Sequence, residues 1–179
     1  MKPVKKIVII GPESTGKSTL SAQLAAHYNT LWVKEYAREF LETHGTRYRF
    51  EDLYTIARGQ LQNEDRALAS LSKNQNLLFI DTDMYVIKVW SEYVFNRCDN
   101  RILDEIANRK YDLYLLCAAD LPWVADALRE YPDLATREKL FHYYKDILVQ
   151  QQVPWQIIDG DYNERLKKAI QAVDAILSI

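Results

Sequence analysis

The run Gly11-Pro12-Glu13-Ser14-Thr15-Gly16-Lys17-Ser18-Thr19 constrains the fold more than any other stretch of the chain. It fits the pattern GxxxxGK[ST], with four apolar residues, Ile7-Val8-Ile9-Ile10, before it and a good helix former, Leu20-Ser21-Ala22-Gln23-Leu24, after it. A buried strand, a glycine-rich turn and a helix in this order make a phosphate-binding loop. Free N–H groups at the turn and helix start attract a polyphosphate. Lys17 is then expected to reach the β- and γ-phosphates, and the Ser18 hydroxyl to ligate Mg²⁺. An ordinary strand–helix turn would explain Gly11 but not the adjacent lysine and serine.

The rest of the chain is read in register with this loop. Continuous apolar runs at Lys5–Ile10, Leu31–Val33, Leu77–Ile80, Leu113–Cys117 and Trp155–Ile158 read as strands covered on both faces. Helical periodicity is read over 17–28, 36–44 (stopped by Gly45), 50–73, 84–95, 137–149 and 163–178. Alternating strands and helices predict a three-layer α/β fold with a parallel sheet, so ligands belong beyond the carboxyl ends of the strands. At 179 residues the chain is expected to form one domain over 1–179. A net charge of −2 gives no basic field for nucleic acid. The start MKPVKK plus four apolar residues is too short for a secretion signal, and no run approaches a membrane span, so a cytoplasmic location is expected. Cys98 and Cys117 lack metal-ligand spacing: Cys117 reads as core and Cys98 as a free thiol.

Each strand end supplies candidates. Glu35 follows the second strand, where a carboxylate can face a γ-phosphate and take the proton of an attacking hydroxyl; Tyr36 and Arg38 lie beside it. The alternative is a solvated Glu35–Arg38 pair on a helix surface. Asp81 ends the third strand and is expected to organise Mg²⁺ together with Ser18. Asp83 is expected to bind sugar hydroxyls, with the Mg²⁺ role in place of Asp81, or a plain helix cap, as its alternatives. The segment 118–137 reads as a lid carrying Arg129 and Arg137, which would neutralise charge on a transferring phosphoryl group unless they are merely surface arginines. Trp123, in that segment, is a candidate for stacking on a flat ring, whereas Trp90 reads as core. After the fifth strand, Gly160 and Tyr162 are expected beside the adenine of ATP, with Asp161 a possible cap.

The segments GPESTGKST, KEYAREF, FIDTD followed by KVW, DLPWVADALRE and IIDGDYNERL resemble those of the ribosylnicotinamide kinases. They are most similar to the kinase domain of the bifunctional bacterial NAD-salvage regulator and its standalone relatives. The resemblance runs from Ile7 to about Leu166. It implies the nucleoside and nucleotide kinase fold, with strand order 2-3-1-4-5. It also implies ATP-dependent phosphorylation of the 5′-hydroxyl of nicotinamide riboside, giving nicotinamide mononucleotide. The nucleotidyltransferase and DNA-binding domains of the bifunctional proteins are expected to be absent. The ATP site is then Gly11, Glu13, Ser14, Thr15, Gly16, Lys17, Ser18 and Thr19, with Gly160 and Tyr162. The alternatives are another nucleoside or nucleotide kinase, or a non-catalytic ATP-binding sensor; a nucleotide-switch GTPase is disfavoured because the chain has no NKxD motif.

Overall fold

Ile7 to Ile10 are fully buried, and their alternation divides the molecule into layers. Ile7 and Ile9 pack on one side of the sheet with Leu20, Leu24, Ala169 and Val173. Val8 and Ile10 pack on the other with Val89, Leu140, Tyr144 and Leu148. Successive strand side chains point to opposite faces, so a run apolar at every position needs helices on both. The computed structural model describes residues 3–178. Its elements are β1 (Lys5–Ile10), α1 (Lys17–His27), β2 (Leu31–Val33), α2 (Tyr36–His44), α3 (Phe50–Ser70), β3 (Leu77–Asp81), α4 (Met84–Phe95), α5 (Asn100–Asn108), β4 (Leu113–Cys117), α6 (Leu134–Gln150), β5 (Trp155–Ile158) and α7 (Tyr162–Leu177).

The five strands are parallel, in the order β2-β3-β1-β4-β5. Helices α1 and α7 cover one face, while α4 and α6 cover the other. A third cluster, around Phe40, Leu53, Ile56, Met84, Ile87 and Ile102, packs α2, α3, α4 and α5 together beyond the sheet edge. The chain leaves β1 toward β2 and β3 on one side and reaches β4 and β5 on the other. The crevice therefore opens at the end of β1, where the glycine loop sits.

One helix is missing from the sequence reading, and two helix ends differ by three residues: α3 stops at Ser70, not 73, and α6 begins early. Helix α5 is absent from that reading, although Ile102 is buried and Ile106 packs beside it one turn on; a further cue is Asp99, which caps Arg101 N. Helix α6 starts at Leu134, not 137, because Asp133 caps Thr136 N at 2.7 Å; it takes in the last residues assigned to the lid. Among the described residues, no helix is long and apolar enough to cross a membrane.

Candidate active site

The glycine loop is shaped by close packing. Gly11 has φ +144°, and a Cβ there would lie 2.6 Å from the Cys117 carbonyl, so a side chain has no room. Thr15 is buried, with its hydroxyl donating to Pro12 O at 2.8 Å. Gly16 precedes α1 in the left-handed region, no side chain caps the helix, and no acid occupies its first turn. The N–H groups of that end remain available to an anion. Lys17 Nζ donates to Pro12 O at 2.8 Å, within the loop it would serve.

Two strand tips bring acids to this loop. Ser18 Oγ donates to Asp81 Oδ2. Asp81 is fully buried, and its other oxygen, Oδ1, has no hydrogen-bond partner. Burial, then the nearby Glu35 charge, pushes the Asp81 carboxyl up to about 7, while Lys17 and the Ser18 hydrogen bond pull it back. An orphaned carboxylate oxygen beside a serine hydroxyl suits a hard, oxygen-seeking cation. Among the described residues no group of three or more His, Cys, Asp or Glu could hold a metal. A divalent ion at Ser18 and Asp81 would therefore take its remaining ligands from phosphate and water. Glu35 precedes α2 without capping it, and it lines the same cavity as Lys17 and Ser18.

That cavity holds about 220 Å³. Its floor is the glycine loop; Glu35 and Arg38 form one side, and the lid residues Leu128–Tyr131 form the roof. Val86, Val89, Trp90 and Tyr93 of α4 and Tyr144 of α6 supply an aromatic wall. Trp90 packs against the third core cluster, as read from the sequence, and also lines this cavity. The face of α4 that carries it turns under the lid, and its indole N–H donates to Tyr48 OH at 2.8 Å.

The lid is tied down at several points. Glu13 accepts from the N–H groups of Glu130 at 3.0 Å and Tyr131 at 2.5 Å. Ser14 Oγ accepts from Val124 N at 3.0 Å. On the far side, Arg38 pairs with Asp126 at 3.0 Å, and Tyr48 OH donates to Glu130 at 3.1 Å. Arg38 is therefore paired with Asp126 of the lid and Glu42 of its own helix rather than with Glu35.

The remaining candidates are dispersed. Arg129 lines the cavity, its guanidinium donating to Val124 O at 2.5 Å. Arg137 does not: it is 4% exposed, donates to Leu121 O at 3.2 Å, and faces a second hollow of about 670 Å³ beside Asp120 and Asp159. Trp123 also lies outside the cavity lining, with its N–H 3.5 Å from Glu13. Tyr36 packs its ring on Gly59 of α3, outside the lining as well. Asp83 is a buried helix cap, accepting from Tyr85 N at 3.0 Å and Tyr114 OH at 2.9 Å, so its capping alternative describes its contacts. Burial raises its carboxyl to about 7. The Gly160 turn meets the loop through Tyr162, whose ring lies 3.4 Å from where a Gly16 Cβ would be.

One residue that sequence reasoning missed organises this region. Arg165 is 2% exposed and donates to Gly160 O at 2.7 Å, Thr15 O at 3.0 Å and Ala118 O at 3.1 Å, besides pairing with Asp120. One guanidinium thus ties the phosphate loop, the root of the lid and the β5–α7 turn. No spacing announces it, because an arginine in the first turn of an amphipathic helix reads as solvated.

A family model described as an AAA domain matches residues 6–165. The chain belongs to this AAA-domain family. The trifunctional NAD biosynthesis/regulator protein NadR of Escherichia coli K12 is 28% identical over 175 residues, 95% of this chain and 42% of that protein. The chain therefore spans less than half the length of that relative. A crystal structure of NadR protein in complex with NR matches with a TM-score of 0.81 at 24% identity, over 98% of this chain and 52% of that one. The complex of NadR protein with NAD and AMP-PNP matches at 0.76 and 26%, over 98% and 50%. Thymidylate kinase from Ehrlichia chaffeensis shares the fold alone, at 0.68 and 14%, over 96% of this chain and 99% of that one. The architecture is that of P-loop kinases, with the strand order 2-3-1-4-5 that the resemblance implied.

Proposed function

We propose that this chain is an ATP-dependent kinase acting on a nucleoside hydroxyl, with nicotinamide riboside as the acceptor and nicotinamide mononucleotide as the product. The observation that carries the reading is the convergence of Lys17, the Ser18–Asp81 contact and Glu35 on one cavity with an aromatic wall. The wall suits a flat, cationic ring, which aromatic faces attract. Similarity to NadR, solved with NR and with AMP-PNP, supports both ligands.

In this reading the polyphosphate lies on Gly11–Thr19, and Lys17 exchanges its Pro12 carbonyl for β- and γ-phosphate oxygens. Ser18 and Asp81 would hold Mg²⁺, which when bound neutralises phosphate charge. Glu35 accepts the proton as the acceptor oxygen bonds to the γ-phosphorus and the bond from that phosphorus to ADP breaks. Arg129, on the roof, adds positive charge to the transferring group. Glu13 and Ser14 hold the lid over the loop, which excludes water from the transfer. Gly160 and Tyr162 flank the adenine.

The test is ADP release from Mg-ATP in the presence of a nucleoside panel that includes nicotinamide riboside. Stimulation by nicotinamide riboside alone supports the reading. Stimulation by a different nucleoside moves the substrate within the kinase class, and none by any member favours a non-catalytic ATP sensor.

A further inference from the structure

Strands β2 and β3 part company just before the cavity. Their last paired residues are Val33 and Ile80. Beyond that point β3 continues along β1, with Asp81 beside Ile9 and Thr82 N donating to Ile9 O at 3.0 Å. On its other side the carbonyls of Asp81 and Thr82 have lost their strand neighbour. The gap is filled by one side chain from α3. Gln60, 1% exposed, donates its amide N–H₂ to Asp81 O at 3.3 Å and Thr82 O at 3.1 Å. Its Oε1 accepts from Tyr36 N at 2.7 Å.

These partners are one donor and two acceptors, all backbone. They fix which end of the amide is oxygen, and only a primary amide of this reach satisfies all three. Each partner adjoins a functional carboxylate. Tyr36 N is the first N–H of α2, directly after Glu35. Helix starts leave such groups without partners. Gln60 supplies this one, and Glu35, which caps none of the helix's N–H groups, lines the cavity. On the other tip, Thr82 is a buried β-branched residue at φ +68°, a strained conformation that persists where its surroundings hold it. The neighbouring Gly59 lets the Tyr36 ring lie so close that a Cβ would fall 2.1 Å from it. Consecutive residues of α3 thus grip the start of α2 and the end of β3 together.

We propose that Gln60 is a positioning residue: its amide replaces the missing rung between the diverging strands and fixes the spacing of the tips that carry Glu35 and Asp81. Gln60 does not line the cavity, so it acts only through those two carboxylates. This role deepens the kinase reading, and its primary readout does not require turnover.

The test compares the intact chain with Gln60→Glu, which keeps the shape but sets a carboxylate against two carbonyls, and Gln60→Met, which satisfies no partner. Gln60→Asn, neutral but one methylene short, keeps the test readable should either not fold; thermal melts establish which do. Calorimetry measures ADP affinity without and with Mg²⁺. The expected result is metal-free affinity within about twofold of the parent. The gain on adding Mg²⁺ should fall by about tenfold or more, as when outer partners of metal ligands are removed. Where the parent turns over a nucleoside, kcat falls by at least about tenfold while KM for ATP stays near that of the parent. A Mg²⁺ gain retained within about twofold in the folded variants overturns the proposal. So does a parallel loss of metal-free affinity and melting temperature, the mark of a merely structural glutamine. Absence of turnover in the parent would refute the kinase reading while leaving the Mg²⁺ comparison intact.

Discussion

Removing the Arg165 guanidinium should loosen three segments at once, and the size of the effect follows from its partners. Arg165→Met keeps the stem of the side chain but deletes hydrogen bonds to Thr15 O, Gly160 O and Ala118 O, and the pair with Asp120. A bond from a charged donor contributes about 1.5–3 kcal/mol. Three such bonds would sum to more than the net loss, because two of the acceptors are only part-buried and Asp120 is 42% exposed, so water recovers some contacts. The Thr15 contact is buried, and water has no access to it. A loss of about 3–5 kcal/mol is expected: the buried Thr15 bond in full and the part-buried ones discounted. For a chain of this length each kcal/mol lowers the melting temperature by roughly 2–4 °C, so the drop is about 6–20 °C. Calorimetric melting of the ligand-free chain checks it. Arg165→Lys, which keeps the charge but loses the planar fork, should fall between. A melting temperature for Arg165→Met within about 2 °C of the parent would refute the claim that this side chain joins loop, lid and turn.

Other outcomes follow from the same geometry. Glu35→Gln should lower kcat by at least about tenfold with nucleotide affinity little changed; near-normal kcat in steady-state assays would sink the proton-acceptor role. The Asp81 carboxyl is raised to about 7 by burial, so the folded chain binds its proton more tightly than the unfolded chain. Its contribution is therefore most favourable below the ordinary value of 3.8 and is lost as pH rises through about 7. Asp81→Asn should accordingly raise the melting temperature of the ligand-free chain more above pH 7 than below pH 4; equal shifts at both would contradict the burial argument. Gly59→Ala would gain about 1 kcal/mol of helix propensity on an open surface. Here the new methyl meets the Tyr36 ring, so chemical denaturation should report lower stability, and a gain would show that α2 moves aside freely.

Where the sequence carried a periodic or motif-like signal, the fold was legible. The apolar runs located all five strands to within a residue; the clearest, β3 and β4, are covered on both faces and buried at every position. The glycine loop, Ser18 and Asp81 fell together because the loop fixes the register of the strand tips. Residues that act by being buried and polar gave no such signal. Gln60 and Arg165 occupy helices whose polar positions read as solvent-facing, and only the packing of several segments turns them inward. The lid arginines separated for a related reason. Asp133 starts α6 early enough to bury Arg137 beneath the lid, while Arg129 remains above the cavity. The aromatic wall was present in the sequence as Trp90, Tyr93 and Tyr144, yet helical spacing alone does not distinguish a core face from a cavity face.

The most direct measurement is ADP release from Mg-ATP on addition of nicotinamide riboside, with the product analysed by mass. The account predicts turnover that requires the nucleoside, yields a monophosphate, and disappears in Lys17→Ala. Persistence of that turnover in Lys17→Ala, or no nucleoside-dependent ADP release from the parent chain, would contradict it.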